Sequence, residues 1–331
     1  MMVAVTVVDI AVGPGVGFLP LLSLGPAFAS LVGGWRRTLW IGVMALLLCV
    51  ALGLYNDMLQ ARRGYMTIAS VAGVTTAGIV AAVMRQQREA ELANVRSIAE
   101  AAQRVLLKPV PRKAGPLRAA VSYTSAVAEA RIGGDLYEMV ASPHGVRVIV
   151  GDVQGKGLEA VETAAVVLGA FRESAPEEVD LAEVGQRLER AVNRQLHGEK
   201  FVTAILAEVT ADGVTFLSYG HPAPMVMRAD GSVIFPEPPA FALPLGLAAH
   251  DTIGPLPFET GFAAGDQLLL YTDGVTEARD DAGRFYPLDE RAHVLKEHDP
   301  EAALERLRQD LVQHVKGPLR DDAAMLLLRY R

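Results

Sequence analysis

Apolar and polar positions are distributed quite differently before and after residue 84. Ile10 to Gly34 contains no charged residue, and 25 residues of helix suffice to cross a hydrocarbon layer of ~30 Å. Pro14, Pro20 and Pro26 predict a kinked or partly re-entrant course there. A second apolar run, Thr38 to Tyr55, and a third, Met66 to Met84, follow at once, which argues against a cleaved leader. In the third run Ala69, Gly73, Ala77 and Ala81 share one helical stripe, the small-residue spacing that allows close packing in lipid. An alanine-rich composition alone gives the same stripe.

Beyond Arg85 the period changes. Leu92, Val95, Ala99, Ala102 and Leu106 recur at threes and fours across 85–107. This predicts a helix leaving the membrane, with either a short dimerising seam or a face that lies on its own domain. Pro109, Pro111 and Pro116 end it. From Leu117 the pattern predicts strands at 118–126, 136–142, 146–153, 201–209, 213–220, 223–228, 267–272 and 323–330. It predicts helices at 158–174, 180–197 and 299–315. Pro143-His144-Gly145 and Asp212-Gly213 read as hairpin turns. Strands joined by hairpins, with the helices grouped in runs, indicate an α+β fold with antiparallel sheets. The expected organisation is a transmembrane region at 1–84 with about three spans, a helical connector and Pro-rich linker at 85–116, and a catalytic domain at 117–331.

Charge fixes an orientation. Arg36 and Arg37 share a membrane face with Arg85 and Arg88, against Arg62 and Arg63 opposite, which places residues 85–331 in the cytoplasm of a multi-pass protein. The net charge of −7 and the lack of a basic stripe argue against nucleic-acid binding. The single cysteine, Cys49, lies in an apolar run and excludes a disulfide framework or thiolate metal site.

Chemistry concentrates at the strand ends. VRVIVGDVQGKG (146–157) runs a strand into Gly151-Asp152 and a glycine-rich turn. Asp135 follows paired glycines in RIGGDLYE, Asp273 ends LLLYTDG, and Asp321-Asp322 precede AAMLLLRY. A carboxylate at the end of a buried strand is costly unless something positive meets it. Together the four positions read as a polynuclear metal site. Oxygen ligands without paired histidines or cysteines favour Mg²⁺ or Mn²⁺ over Zn²⁺. Two such ions can acidify a bridging water and clamp a phosphoryl group, which leaves water as the nucleophile. Each piece alone has a plainer reading: Asp273-Gly274 as a turn, Asp321-Asp322 as a cap or solvated pair, His221 as a satisfied loop histidine, and Lys156 as a solvated side chain.

In order and spacing, GGDLYE, GDVQGKG, FVTAILAEV, YGHPAP, LYTDGVTEA and DDAAMLLLR resemble the SpoIIE/RsbU-like bacterial branch of the protein phosphatase 2C superfamily, over roughly residues 117–331. The resemblance implies an antiparallel β-sandwich flanked by helices, carrying a centre of two Mn²⁺ or Mg²⁺ ions at one edge of the sheets. It implies Asp135, Asp152 as the bridging ligand, the Val153 carbonyl, Asp273 and Asp321 (in preference to Asp322) as metal ligands. It also implies hydrolysis of phosphoserine or phosphothreonine on a cytoplasmic signalling protein, with an anti-sigma-factor antagonist as the leading substrate class. Gly134 and Gly151 are expected to permit close backbone packing. Glu138 and Gln154 depart from the branch's commoner residues without removing a ligand. A diguanylate cyclase is disfavoured because Leu136-Tyr137, not Glu-Phe, follow GGD. A catalytically inactive phosphoprotein-binding scaffold is the rival of another class.

Overall fold

The structure, a computed structural model, describes residues 19–55, 62–125, 133–195, 200–247 and 254–331. Residues 10–18 of the first expected span, Ala126 and residues 196–197 lie outside these. The chain divides into two units, Met1–Asn94 and Val95–Arg331.

In the first unit a 3₁₀ turn at Leu19–Ser23 leads into α1 (Leu24–Val32), followed by α2 (Trp35–Tyr55) and α3 (Arg62–Leu106), which continues into the second unit. Two of these helices are long and apolar enough, by length and composition, to cross a membrane; the apolar helix before them is shorter. At 1.5 Å per residue α2 alone is about 31 Å long. Its outward side chains are apolar, with Trp40, Leu47 and Leu54 exposed, while Ala45, Cys49 and Leu52 pack with Leu22 and Val71. Small residues set the close approach. A Cβ on Gly42 would stand 2.1 Å from Thr75 Cγ2. The packed stripe of α3 is therefore Val71, Thr75, Gly78 and Ala82, whereas Ala69, Gly73, Ala77 and Ala81 face outward. The stripe read from spacing is thus the wrong face for contacts within this unit, because the partner surface and not the spacing selects it. Arg85 donates to the carbonyls of Ser30, Leu31 and Gly33, meeting the unpaired C-terminal carbonyls of α1.

The second unit holds two antiparallel sheets. One is ordered β1 (Lys113–Ala114), β2 (Leu117–Thr124), β11 (Ala323–Tyr330), β10 (Gln267–Tyr271), β7 (Met225–Met227), β8 (Val233–Ile234). The other is ordered β3 (Leu136–Ser142), β4 (Gly145–Val153), β5 (Val202–Val209), β6 (Val214–Tyr219), β9 (Phe258–Thr260). Helices α4 (Leu158–Ser174) and α5 (Leu181–Gln195) cover the second sheet. The short α6 (Asp273–Thr276) and α7 (Leu288–Arg291) precede α8 (Pro300–Val315), which covers the first. This four-layer sandwich is the expected α+β architecture.

Alternation explains the layers. On β4, Val146, Val148 and Val150 enter the core between the sheets, while Ile149 and Val153 pack under the helices. On β11, Ala324, Leu326 and Leu328 face the inter-sheet core, and Ala323, Met325 and Leu327 face the helical side. Strands buried on both faces read as continuous apolar runs, which is why AAMLLLRY shows so little polarity. The seam of 85–107 is divided as well. Ala99 is fully buried and packs with Val161 of α4 and with Leu106, so its C-terminal part lies on its own domain, while Leu92 and Val95 are exposed.

The exception on β4 is Arg147, which is 0% exposed. Its Nε pairs with Glu208 Oε2 at 2.6 Å, and its guanidinium also donates to the carbonyls of Ala175, Glu178 and Val179 just beyond α4. A buried charge is tolerable only with such complete pairing. Arg147→Ala should therefore destabilise the domain by about 3–5 kcal/mol; a urea-unfolding loss below ~1 kcal/mol would show that these contacts are not what holds the α4 end to the sheet.

Candidate metal centre

The candidate site lies where four segments end at one edge of the sandwich. Asp135 immediately precedes β3, Asp152 lies in β4, Asp273 begins α6 after β10, and Asp321-Asp322 lead into β11. Pairing brings them together: Leu136 stands opposite Gly151, and Tyr271 opposite Met325. Thr272 then joins the two sheets. Its backbone N–H donates to the Ala324 carbonyl at 3.1 Å and its Oγ1 accepts from Ala324 N–H at 3.0 Å. The same hydroxyl donates to Asp135 Oδ2 at 2.8 Å.

Glycines permit the approach. A Cβ on Gly134 would stand 2.4 Å from the Val153 carbonyl oxygen and 2.9 Å from Asp152 Oδ1. Val153 N–H donates to the Gly134 carbonyl at 3.2 Å, so this loop and the end of β4 lie against one another. Gly274 meets the Asp322 carbonyl in the same way, at 1.8 Å from its would-be Cβ. Gly151 likewise permits a close backbone approach, here to the Thr203 carbonyl of β5.

The electrostatics follow from crowding. Asp135 is buried, and burial together with the charge of Asp152 holds its carboxyl well above the usual range, against the opposing effect of the Thr272 hydrogen bond. Burial and then the charges of Asp273 and Asp321 push Asp152 up to about 7, with a hydrogen bond to Asp135 acting the other way. Asp273 is raised by burial and by Asp321. The paired aspartates divide. Asp322 is 3% exposed and its carboxylate lies against Gly133, whereas the Asp321 side chain is 54% exposed and pairs with Lys156 Nζ at 2.6 Å. Lys156 is thus an ion-pair partner of the cluster, correcting the expectation of a solvated side chain; its position between Gly155 and Gly157 lets the loop turn toward Asp321.

An all-oxygen, mutually repelling donor set suits a hard divalent cation, which would relieve the repulsion. Among the described residues no three Asp, Glu, His or Cys side chains already converge as a metal-binding group. His221 is a satisfied buried histidine: Nδ1 meets Thr203 Oγ1 at 3.1 Å, Nε2 meets the Tyr271 carbonyl at 3.0 Å, and burial lowers its pKa to about 3. Burial thus favours its neutral ring, and both ring nitrogens are engaged within the protein.

Tyr123 and Gln103, beside the aspartates, escape a reading by pattern. Tyr123, at the end of β2, hydrogen-bonds Asp322, and its hydroxyl accepts from Gln103 Nε2 of α3 at 2.8 Å. Burial and the charge of Asp322 raise its pKa. Only Thr272 had a signal, adjacent to Asp273 in YTDG.

The family model described as Stage II sporulation protein E (SpoIIE) matches residues 142–331, more than half of the chain. The chain belongs to the SpoIIE family. Phosphoserine phosphatase RsbU of Bacillus subtilis (strain 168) is 26% identical over 205 residues, 60% of each protein, so the chain spans 60% of that relative's length. The fold matches the SiaA-PP2C domain of Pseudomonas aeruginosa (TM-score 0.60, 18% identity, 74% of this chain and 99% of that one). It also matches the PP2C phosphatase domain with a regulatory fragment of SpoIIE from Bacillus subtilis (TM-score 0.55, 16% identity, 65% and 63%). The SpoIIE-family domain therefore has a PP2C-type fold.

The raised carboxyl groups give a signed pH dependence. A carboxyl whose folded pKa exceeds its unfolded value stabilises the fold while protonated; that contribution is full below the ordinary carboxylate pKa and is lost as pH rises through about 7 for Asp152. In EDTA the unfolding midpoint of the second unit should fall between pH 5 and pH 8, Asp152→Asn should flatten the fall, and Mn²⁺ should raise the midpoint more at pH 8 than at pH 5. A cation-free midpoint that is flat or rises over this interval would contradict the repulsive cluster.

Proposed function

We propose that this chain is a membrane-anchored, metal-dependent protein serine/threonine phosphatase that hydrolyses phosphoserine or phosphothreonine on a cytoplasmic signalling protein. The observation that carries this reading is the gathering of Asp135, Asp152, Asp273 and Asp321 at one sheet edge, with Thr272 tying one sheet to the loop before the other. Family membership and the name of the Bacillus relative support it. The metal-holding residues are Asp135, Asp152, the Val153 carbonyl, Asp273 and Asp321. Asp321 is preferred over Asp322 because its charge is, with that of Asp273, one of the two chief electrostatic influences on Asp152.

Two bound Mn²⁺ or Mg²⁺ ions would supply positive charge for the phosphoryl group and acidify water, the nucleophile of the reaction. The chain's own residues do the rest. Thr272 orients Asp135, Lys156 offsets the charge of Asp321, and the backbone contact of Gly134 with Val153 fixes the spacing of the first two segments. Among the described residues no activated serine, cysteine or titrating histidine lies at this edge, so the protein positions and neutralises charge without forming a covalent intermediate.

The proposed organisation is a transmembrane region of about three spans over 1–84, a connector over 85–116 and the catalytic domain over 117–331, the latter in the cytoplasm. The two long apolar helices and the exposed apolar side chains of α2 support membrane anchoring. The exposed Leu92 and Val95 support a homodimer contact through the early part of 85–107. An anti-sigma-factor antagonist is the proposed substrate class, by resemblance to the RsbU-like branch.

Phosphate release from an aryl phosphate and a phosphoserine peptide, with Mn²⁺, Mg²⁺ or EDTA, tests the activity. Turnover should require the cation and fall at least ~100-fold in Asp152→Asn, the loss expected when several kcal/mol of charge stabilisation disappear. A folded protein that binds phosphopeptide but releases no phosphate with either metal would instead be a scaffold.

A further inference from the structure

Beside Asp321 lies a cavity of about 180 Å³ that the proposed hydrolysis does not use. It is smaller than the roughly 300–1,000 Å³ of small-molecule sites and has room for little more than a side chain. Val315, Ala278 and the buried Leu319 form its apolar part. Arg279, Arg320 and Glu277 join Asp321 in lining it.

The lining sets two arginines against Glu277 and Asp321, and of these Asp321 already has a partner in Lys156 at 2.6 Å. Among the described residues the exposed guanidinium of Arg320 has no hydrogen-bond or ion-pair partner. The Arg279 guanidinium lies 4.3 Å from the centroid of the half-exposed Phe285 ring, a stack that holds it in place while its N–H edge stays open to donate to a ligand's oxygens. Two arginines thus stand open on a chain of net charge −7, directly beside a cluster of aspartates.

Resting on the phosphatase reading, we propose that this cavity is the docking subsite for the substrate segment next to the phosphorylated residue, with Arg279 and Arg320 receiving a carboxylate of that segment. The substrate class is therefore a phosphoprotein with an acidic residue flanking its phosphoserine. Charge complementarity selects this occupant: a basic segment would meet two arginines, and a wholly apolar one would leave both without a partner. Arg320 is joined directly to Asp321, so a segment seated here lies next to the metal-holding edge. Recognition through exposed arginines is salt-sensitive and contributes specificity more than raw affinity.

The test uses the full chain in detergent with Mn²⁺ and fluorescent peptides that carry a non-hydrolysable phosphonate in place of phosphoserine, flanked by Glu or by Gln. The Glu peptide should bind about fivefold more tightly at ~50 mM salt, the scale of one or two exposed charge pairs. This ratio should fall to about one in Arg320→Gln and in Arg279→Gln, and Arg320→Glu should favour a Lys-flanked peptide. A wild-type ratio near one, or a ratio indifferent to both arginines, overturns the docking subsite. Phosphate release from the matching phosphoserine peptides separates the two readings. A retained binding ratio without release removes the phosphatase and keeps the subsite, whereas release without a binding ratio does the reverse.

Discussion

Like charges held close together are the constraint on which the C-terminal unit turns. Burial raises the pKa of Asp135, Asp152 and Asp273, and neighbouring aspartates add to it: Asp152 for Asp135, Asp273 and Asp321 for Asp152, and Asp321 for Asp273. Only a rigid frame keeps such a set together, and the frame is the sandwich itself. Thr272 fastens one sheet to the loop before the other, and glycines at 134 and 274 let backbone come where a side chain could not. The strain is local and electrostatic, and the inter-sheet core and two helix-covered faces carry it.

Cations of the chain itself are placed sparingly around this centre. Lys156 meets Asp321 from a glycine-flanked turn. Arg147 and Arg172 are spent on structure: Arg147 binds the end of α4, and Arg172 joins Glu138 to the terminal carbonyl of α3 at Leu106. Arg279 and Arg320 remain at the rim, facing outward beside the aspartates. The distribution leaves the aspartate cluster only partly neutralised by the chain's own cations.

Within the second unit the C-terminal part of α3 is held by packing and by polar contacts, among them those of Arg172 with the Leu106 carbonyl and of Gln103 with the Gly133 carbonyl. Ala99 and Leu106 rest with Val161 of α4, and Gln103 reaches Tyr123, whose hydroxyl meets Asp322. A helix whose period allows either a dimerising seam or a face on its own domain thus lies, in its C-terminal part, on the second unit. Its exposed Leu92 and Val95 lie on the N-terminal side of that contact.

Periodicity alone determined most of the strands and the three long helices, because burial on one face or on both leaves a direct record in residue order. Hairpin turns were equally legible from Pro143-His144-Gly145 and Asp212-Gly213. The four aspartate positions stood out because a carboxylate at the end of an apolar strand needs a reason. What only the tertiary structure decided were contacts between segments distant in sequence. The pairing of Lys156 with Asp321, the turning of Asp322 toward Gly133, the relay through Tyr123 and the packed face of α3 all depend on a partner surface. Short strands such as β8 and β9 escaped for the same reason: two or three residues carry no period, and a neighbouring strand's hydrogen bonds alone define them. A sequence records which side chains avoid water; which of them meet one another is fixed when the sheets close.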